Sequence, residues 1–531
     1  MEPKQYLDWI VYQIYPRSFY DANGDGVGDL NGVTEKLDYL KELGVNAVWL
    51  SPCYKSPNCD NGYDISDYRD IMDEFGTLDD WKRMINEMHV RGIKLIMDFV
   101  ANHTSSEHKW FKEARSSRDN PYHDYYIWRD TVPNDWQSCF LGSAWEYNAP
   151  TGEYYLHSFA VGQPDLNWEN PKVREEMCAV VDYWVDLGVD GFRCDVLDFI
   201  AKDFENGLMN NGPKIHEYIK ELFGRDKVKN IFTVGECSMG EDKIADFCGA
   251  DRDELKCIFQ FDHIGLGRTG DKFVQAARDL DGLRNVLVKW QYFTERNNLL
   301  YTLFTDNHDQ AHFISRGGND RESRYETATM YAAMFYLLKG TPFLYQGIEF
   351  GTPDPHYDDL SNFNDVETFN YYNAHVGEMD ERELLERINF GSRDNVRRPM
   401  CWDGSKNYGF SSSDKTWIAL HSRGAEVNLA QDRKNEKSVF DFYKRLLALR
   451  NGSDAAKYGV FEDCTQGNGY FAYTRTWNGE QLLVVCNFEQ EKEITGLPDC
   501  EYVFGNALPR RANGRYGAFE TAVFRKREKR V

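Results

Sequence analysis

Carboxylates close several short apolar runs in this sequence: Asp98, Asp195, Glu236 and Asp309 each stand at or just beyond the end of one. Residues two apart on a strand share a face, so within Gly191–Val196 the side chains of Arg193 and Asp195 point one way and those of Phe192 and Cys194 the other. The guanidinium beside Asp195 predicts an ionised carboxylate. An ionised Asp next to an Arg, with a Glu closing the next run among other acids that raise its proton affinity, suits cleavage of a glycosidic bond. One carboxylate serves as nucleophile and the other as proton donor. Aromatic walls fit the same chemistry, because sugar rings present C–H faces that stack.

The elements that must position these groups are eight runs rich in β-branched and aromatic residues. They are Ile10–Tyr15, Ala47–Leu50, Lys94–Val100, Gly191–Val196, Ile231–Glu236, Cys257–Asp262, Tyr301–Thr305 and Thr341–Gln346, with helical patterns between them. One helix is marked in full: Thr77 as N-cap with Asp80 three residues on, Trp81, Met84, Ile85 and Met88 on one face, and Gly92 as the stop. Nearly all-apolar strands alternating with helices predict an α/β fold, a parallel (β/α)8 TIM barrel over 1–103 and 171–456, whose chemistry sits at the C-terminal ends of its strands. Two gaps are too long for ordinary loops. The aromatic-rich stretch 104–170 after the third strand predicts an inserted domain, and 351–402 a second insertion after the eighth. From 457 to 531 short alternating strands, such as Tyr470–Thr474, Gln481–Asn487 and Phe519–Phe524, predict a C-terminal β-sandwich.

Composition narrows the partners. With 62 basic against 86 acidic residues, a net charge of −24, the surface repels polyphosphates and anionic headgroups, which argues against nucleic acid and membrane. No apolar run reaches the roughly 18 residues of a spanning helix, and the N-terminus lacks a basic, then apolar, leader. Twelve scattered cysteines without a CxxC read as small buried hydrophobes in a reducing, cytoplasmic setting; a Cys53–Cys59 bridge is the one local alternative.

Seven motifs then carry a likeness. Tyr12-Gln-Ile-Tyr-Pro-Arg17, Gly62-Tyr-Asp-Ile-Ser-Asp-Tyr68, Asp98-Phe-Val-Ala-Asn-His-Thr104, Gln163-Pro-Asp-Leu-Asn167, Gly191-Phe-Arg-Cys-Asp-Val196, Val234-Gly-Glu236 and Asn307-His-Asp-Gln310 resemble the α-amylase family, more narrowly its oligo-1,6-glucosidase and dextran-glucosidase group. Gly340-Thr-Pro-Phe-Leu-Tyr-Gln-Gly347 and Ser392-Arg-Asp-Asn-Val-Arg397 extend the resemblance over essentially the whole chain. It implies a retaining exo-α-glucosidase with Asp195 as nucleophile, Glu236 as general acid/base and Asp309 as the third acid gripping sugar hydroxyls. It also implies that Asp64, His103, Arg193, His308 and Arg397 line the subsite for the non-reducing glucose, with Tyr63 and Phe159 as stacking walls and Gln163 nearby. Val196 after the nucleophile goes in this group with α-1,6 cleavage, where Thr goes with α-1,4. Cys237-Ser-Met239 and Ala311-His312 depart from the group's pattern on the acceptor side. Maltases, trehalose-6-phosphate hydrolases and sucrose isomerases share nearly all these motifs. Transporter heavy chains share the fold but lack the acids.

After the first strand, Asp21-Ala-Asn-Gly-Asp-Gly-Val-Gly-Asp29 offers alternating oxygens from Asp21, Asn23, Asp25 and Asp29, plus the Val27 carbonyl, which suit a hard cation. It begins like an EF-hand loop, but position twelve is Gly32 and no helix pair flanks it. The expectation is a structural Ca²⁺ and no organic cofactor, in a monomer or small homo-oligomer acting on small oligosaccharides.

Overall fold

The computed structural model describes residues 3–237, 240–248 and 254–527. Eight parallel strands form the central sheet: β1 (Val11–Ile14), β2 (Ala47–Leu50), β3 (Lys94–Val100), β4 (Gly191–Asp195), β5 (Phe232–Gly235), β6 (Cys257–Ile258), β7 (Thr302–Leu303) and β8 (Thr341–Tyr345). Their order is β6-β5-β4-β3-β2-β1-β8-β7, and a parallel bridge between Ile258 and Tyr301 joins the two ends. The predicted (β/α)8 barrel is therefore present. Alternation sorts its side chains: Ala47, Trp49, Ile96, Phe232, Val234 and Phe343 fill the barrel interior, while Val48, Leu50, Leu95, Met97 and Phe192 pack outward under the helices. The helix Leu78–Val90 has the capping box expected of it, with Thr77 and Asp80 each bonding the other's backbone N–H, and it buries Trp81, Met84, Ile85 and Met88.

Strand register aligns the chemistry. Asp98 on β3 stands opposite Arg193 on β4, and Val100 opposite Asp195. Between β3 and β4 the chain forms a three-stranded sheet from Trp128–Arg129, Glu153–Leu156 and Trp145–Asn148. Lys202 ties this unit to the barrel, its buried ammonium donating to Asp165 (2.9 Å), Asn102 (2.8 Å) and the Phe199 carbonyl (2.7 Å). After β8 come the helices Val366–His375 and Glu381–Gly391. The C-terminal part is a five-stranded antiparallel sheet. One face packs Phe471, Tyr473 and Val484 against the barrel core, and the other meets the pair Lys492–Ile494 and Gly514–Tyr516.

All twelve cysteines are free thiols, Cys53 and Cys59 included. No helix among the described residues is long and apolar enough to cross a membrane.

Candidate active site

At the C-terminal end of the barrel a cavity of about 160 Å³ is lined by Asp195, Glu236 and Asp309 together with Tyr63, His103, Phe159, Val196 and His308. Arg193 is its organising cation. One guanidinium nitrogen donates to Asp195 (2.6 Å) and Asp98 (3.1 Å), and the other to Glu236. Three carboxylates thus share one guanidinium. Burial, reinforced by Glu236 and Asp98 and opposed by Arg193, pushes the Asp195 carboxyl well above the usual range, and Asp98 is raised to about 6 by burial against the same arginine. The ionised Asp195 expected from Arg193 alone is therefore opposed by burial and by its acidic neighbours. Those carboxylates in turn outweigh burial at Arg193 and hold its pKa well above the arginine norm.

Asp309 behaves oppositely. Burial alone would raise it, but His308, Arg393 and Arg397 more than offset that and hold it well below the carboxylate norm. Arg397 donates to Asp309 (2.9 Å) and to the His308 carbonyl (2.9 Å). The Gln13 amide lies 2.8 Å from His308 Nδ1, which leaves Nε2–H to face Asp309 at 3.1 Å. Tyr63 stacks on His308 at 5.2 Å, and Phe159 lies 5.2 Å from His103, so both rings stand in the pocket lining.

Four of the expected substrate-binding residues do not line the cavity. Asp64 does not reach the cavity: it is fully buried, and its oxygens accept from Ser56 Oγ and from the backbone N–H groups of Cys59 and Asp60. Asp60 lines the pocket in its place, because the turn through Asn61 (φ 49°) and Gly62 (φ 103°) sends the two carboxylates to opposite sides. Gln163 sits behind the wall, donating to Asp60 (3.2 Å) and touching His103 (3.1 Å). Arg193 and Arg397 likewise act through the acids they hold rather than as cavity lining.

Sequence reasoning missed the wall opposite. Arg393 pairs with Asp60 (3.0 Å), Asp365 (2.5 Å), Glu367 (3.3 Å) and Asp309 (3.4 Å), and lies 4.7 Å over the Phe140 ring. Phe140, Lys272, Glu367 and Gln310 complete the lining, with Lys272 bonded to Glu367. The one available signal was the Ser392–Arg397 motif, where Arg393 stands four residues before Arg397.

Val196 reaches the cavity with a left-handed backbone (φ 35°, ψ 46°), uncommon for a β-branched residue, and its N–H donates to Glu236 at 3.2 Å. Of the acceptor-side departures, Ala311 and His312 turn away from the cavity: His312 bonds Asp306 (3.2 Å) and, through its N–H, Asp354 (2.7 Å). Cys237 is buried, whereas Ser238 and Met239 lie outside the described residues.

In the Asp21–Asp29 loop, Asp21 accepts from the Gly24 and Gly26 N–H groups and from Ser411, Asn23 from Asp25, Asp25 from Val27, and Asp29 from Ala22, Asn23 and Gly32. Among the described residues no three Asp, Glu, His or Cys side chains converge closely enough to hold a metal. Asp21 and Asp29 are nevertheless buried, and burial, with Asp21 adding, raises the pKa of Asp29.

The alpha-amylase catalytic-domain model matches residues 13–459. An oligo-1,6-glucosidase of Parageobacillus thermoglucosidasius is 46% identical over 524 residues, covering 94% of this chain and 93% of the relative. A trehalose-6-phosphate hydrolase of Bacillus subtilis is 41% identical, with 92% and 91% covered. The crystal structure of a trehalulose synthase from Pseudomonas mesoacidophila superposes with a TM-score of 0.94 at 37% identity, over 98% of this chain and 99% of that one.

Proposed function

Because the chain belongs to the α-amylase family, we propose that it is a retaining exo-α-glucosidase that releases glucose from the non-reducing ends of short α-glucosides, with α-1,6 bonds preferred. The observation that carries this reading is a small cavity in which Asp195, Glu236 and Asp309 meet while the Arg393–Asp60 pair closes one wall, so that a chain end enters but a chain does not run through.

Asp195 attacks the anomeric carbon while Glu236 gives a proton to the leaving oxygen. Water, deprotonated by Glu236, then releases glucose from Asp195. Both carboxylates bond one guanidinium, which suits the short spacing of a retaining pair, about 5–5.5 Å, rather than the wider gap of an inverting one. The Arg193–Glu236 contact has to give way before Glu236 can donate. Asp309, held by Arg397 and His308, grips sugar hydroxyls. Lys272 at the mouth is paired with Glu367, so a neutral aglycone suits it better than a phosphorylated one.

The test is incubation with isomaltose, isomaltotriose, maltose, sucrose and trehalose 6-phosphate separately, following glucose and its anomers by NMR. α-Glucose released first, and fastest from isomaltose, is the expected result. β-Glucose first rules out double displacement, and a preference for maltose rules out the linkage assignment. Val196→Thr should move the isomaltose-to-maltose ratio of kcat/KM toward maltose by about tenfold, equivalent to about 1.4 kcal/mol. An unchanged ratio makes Val196 a packing residue.

We also propose a structural Ca²⁺ for the Asp21–Asp29 loop, whose oxygens would have to turn from the backbone N–H groups they now accept from to converge on it. Two buried carboxylates there face backbone donors, and a hard cation held by Asp21, Asn23, Asp25, Asp29 and the Val27 carbonyl would neutralise them. Excess chelator should lower Tm while leaving the initial rate at low temperature intact. No Tm change and no metal by elemental analysis removes the site. Free thiols throughout suit a cytoplasmic location, and the protein is proposed to act as a monomer or small homo-oligomer.

A further inference from the structure

Gln310, the residue after Asp309, lines the catalytic cavity, and its amide is held by a cation that does not line it. The Arg268 guanidinium donates to Gln310 Oε1 at 2.7 Å. Arginine offers donors only, so the amide oxygen must be the atom that faces it and the NH₂ group must face elsewhere. No hydrogen bond among the described residues uses that NH₂ group, and it is open to solvent rather than sealed in the wall. Gln310 therefore presents a donor to the cavity that also holds Asp195 and Glu236.

Arg268 is itself fixed by the fold. It stands at the base of a hairpin in which it bridges Gln275, while the Thr269 N–H donates to the Val274 carbonyl (2.9 Å) and the Ala276 N–H to the Gly267 carbonyl (2.9 Å). At the far end Lys272 bonds Glu367 and Phe273 stacks on Tyr371 at 4.0 Å, so the tip is tied as well. Gly267 (φ 76°) lets the base lie against the helix Phe313–Gly317, where a Cβ would come within 2.9 Å of the Arg316 carbonyl. Arg316 then joins the two segments. Its Nη1 donates to the carbonyls of Ile264 (2.8 Å) and Leu266 (3.1 Å), and its Nε to that of Ala311 (3.1 Å), the residue after Gln310. One buried guanidinium thus sets the register between the hairpin base that carries Arg268 and the loop that carries Gln310.

Arg268 has no acid partner among the described residues, whereas Arg193, Arg393 and Arg397 at the same mouth each bond carboxylates. Burial and the like charge of Arg316 lower its pKa to about 10, against a smaller pull from Glu367. Without a counter-ion in contact, the guanidinium draws on the Gln310 carbonyl dipole, which makes the amide N–H groups stronger donors. The glucose to be released enters the cavity first, so the leaving sugar stays on the mouth side. There the same hairpin places Lys272, and Gln310 stands one residue beyond Asp309.

We propose that Arg268 is a positioning residue for the leaving sugar: by holding Gln310 Oε1 it turns the Gln310 N–H toward an oxygen of the sugar that departs beside Glu236. The leaving-sugar role rests on the glucosidase reading above.

The test compares kcat/KM for isomaltose, whose leaving group carries hydroxyls, with that for p-nitrophenyl α-glucoside, whose leaving group carries none. Arg268→Met should lower the isomaltose-to-nitrophenyl ratio about tenfold, and Gln310→Ala should lower it as far. The double variant should fall no further than either single one, because the second change removes a group that no longer acts. Gln310→Glu keeps an acceptor for Arg268 but has no donor, so it should hold the wild-type Tm and still lose the ratio, which covers the case in which Arg268→Met fails to fold. Equal losses on both substrates show a scaffold role and overturn the proposal, as do losses that multiply in the double variant. Nitrophenol release by the wild type reports separately on the glucosidase reading: without it that reading falls, whereas release with a ratio that no variant moves removes only the role of Arg268.

Discussion

Buried arginines do opposite jobs at two places in this molecule. At the barrel mouth Arg193, Arg393 and Arg397 are each at most 6% exposed and bond carboxylates, whose charge outweighs burial and raises the arginines' pKa. At the seam with the C-terminal sheet Arg450 and Arg475 are fully buried and bond only carbonyls: Arg450 those of Tyr336, Leu338 and Gly340, Arg475 those of Leu337, Gly459 and, at 3.5 Å, Lys457. Burial lowers their pKa to about 9 and about 10. The seam arginines satisfy the orphan carbonyls just past the helix Arg324–Tyr336, a fixed task with no counter-ion to exchange. The mouth arginines hold acids of which Asp60, Asp195, Glu236 and Asp309 also face the cavity. Burial alone therefore does not mark a functional arginine; the partner does.

Substitutions at the mouth should break catalysis most. Asp195→Asn and Glu236→Gln should each lower kcat on isomaltose by about 10⁴-fold with little loss of Tm, since two carboxylates remain on Arg193 in either variant. Activity within tenfold of wild type would remove both roles. Arg393→Met combines the two kinds of damage. It strands Asp60 and leaves Asp365 and Glu367 with only Arg397 and Lys272, so kcat/KM should fall by about 100-fold or more and stability by about 3 kcal/mol, measured by denaturant titration.

At the seam the order reverses. Arg475→Met removes the donor to three carbonyls and should cost about 2 kcal/mol of stability, while kcat and KM at 25 °C stay at wild-type values. A change in KM there would show that the seam communicates with the pocket and would end the contrast.

The sequence makes one side of this contrast legible and hides the other. Strands and their terminal acids leave local traces: alternation places Arg193 with Asp195, and apolar runs locate all eight strands, although β6 ends at Ile258 where the chain bends into the turn Asp262–Gly265. Arg393 and Asp60 meet across 333 residues, a distance at which no spacing rule operates. Asp64 and Asp60 share one short turn and one charge, and only the positive φ angles at Asn61 and Gly62 decide which faces the cavity. Arg450 and Arg475 look like surface residues in sequence, because the carbonyls that hold them belong to elements folded around them.

Glu349 tests the contrast from the acid side, with the smallest effect. It is fully buried, as Asp98 is at the mouth, but no arginine among the described residues pairs with it: it accepts from Tyr12 (2.7 Å), Tyr39 and the Gly347 N–H (2.8 Å), and burial pushes its pKa to about 7 from an ordinary 4.5. A carboxyl whose folded pKa is raised favours the folded state most when protonated. Its contribution is therefore complete below pH 4.5 and is lost as the pH rises through 7, a swing of about 3 kcal/mol. Glu349→Gln cannot ionise, and its neutral amide carries a fixed cost from meeting the Gly347 N–H with a second donor. The stability of the variant minus that of wild type should thus climb between pH 4.5 and 7.5 by up to that amount and then level off, whatever the fixed cost. Parallel unfolding curves across that window would show that the tyrosines stabilise the carboxylate as well as an arginine would. Partner type would then no longer separate the buried charges of the mouth from those of the scaffold.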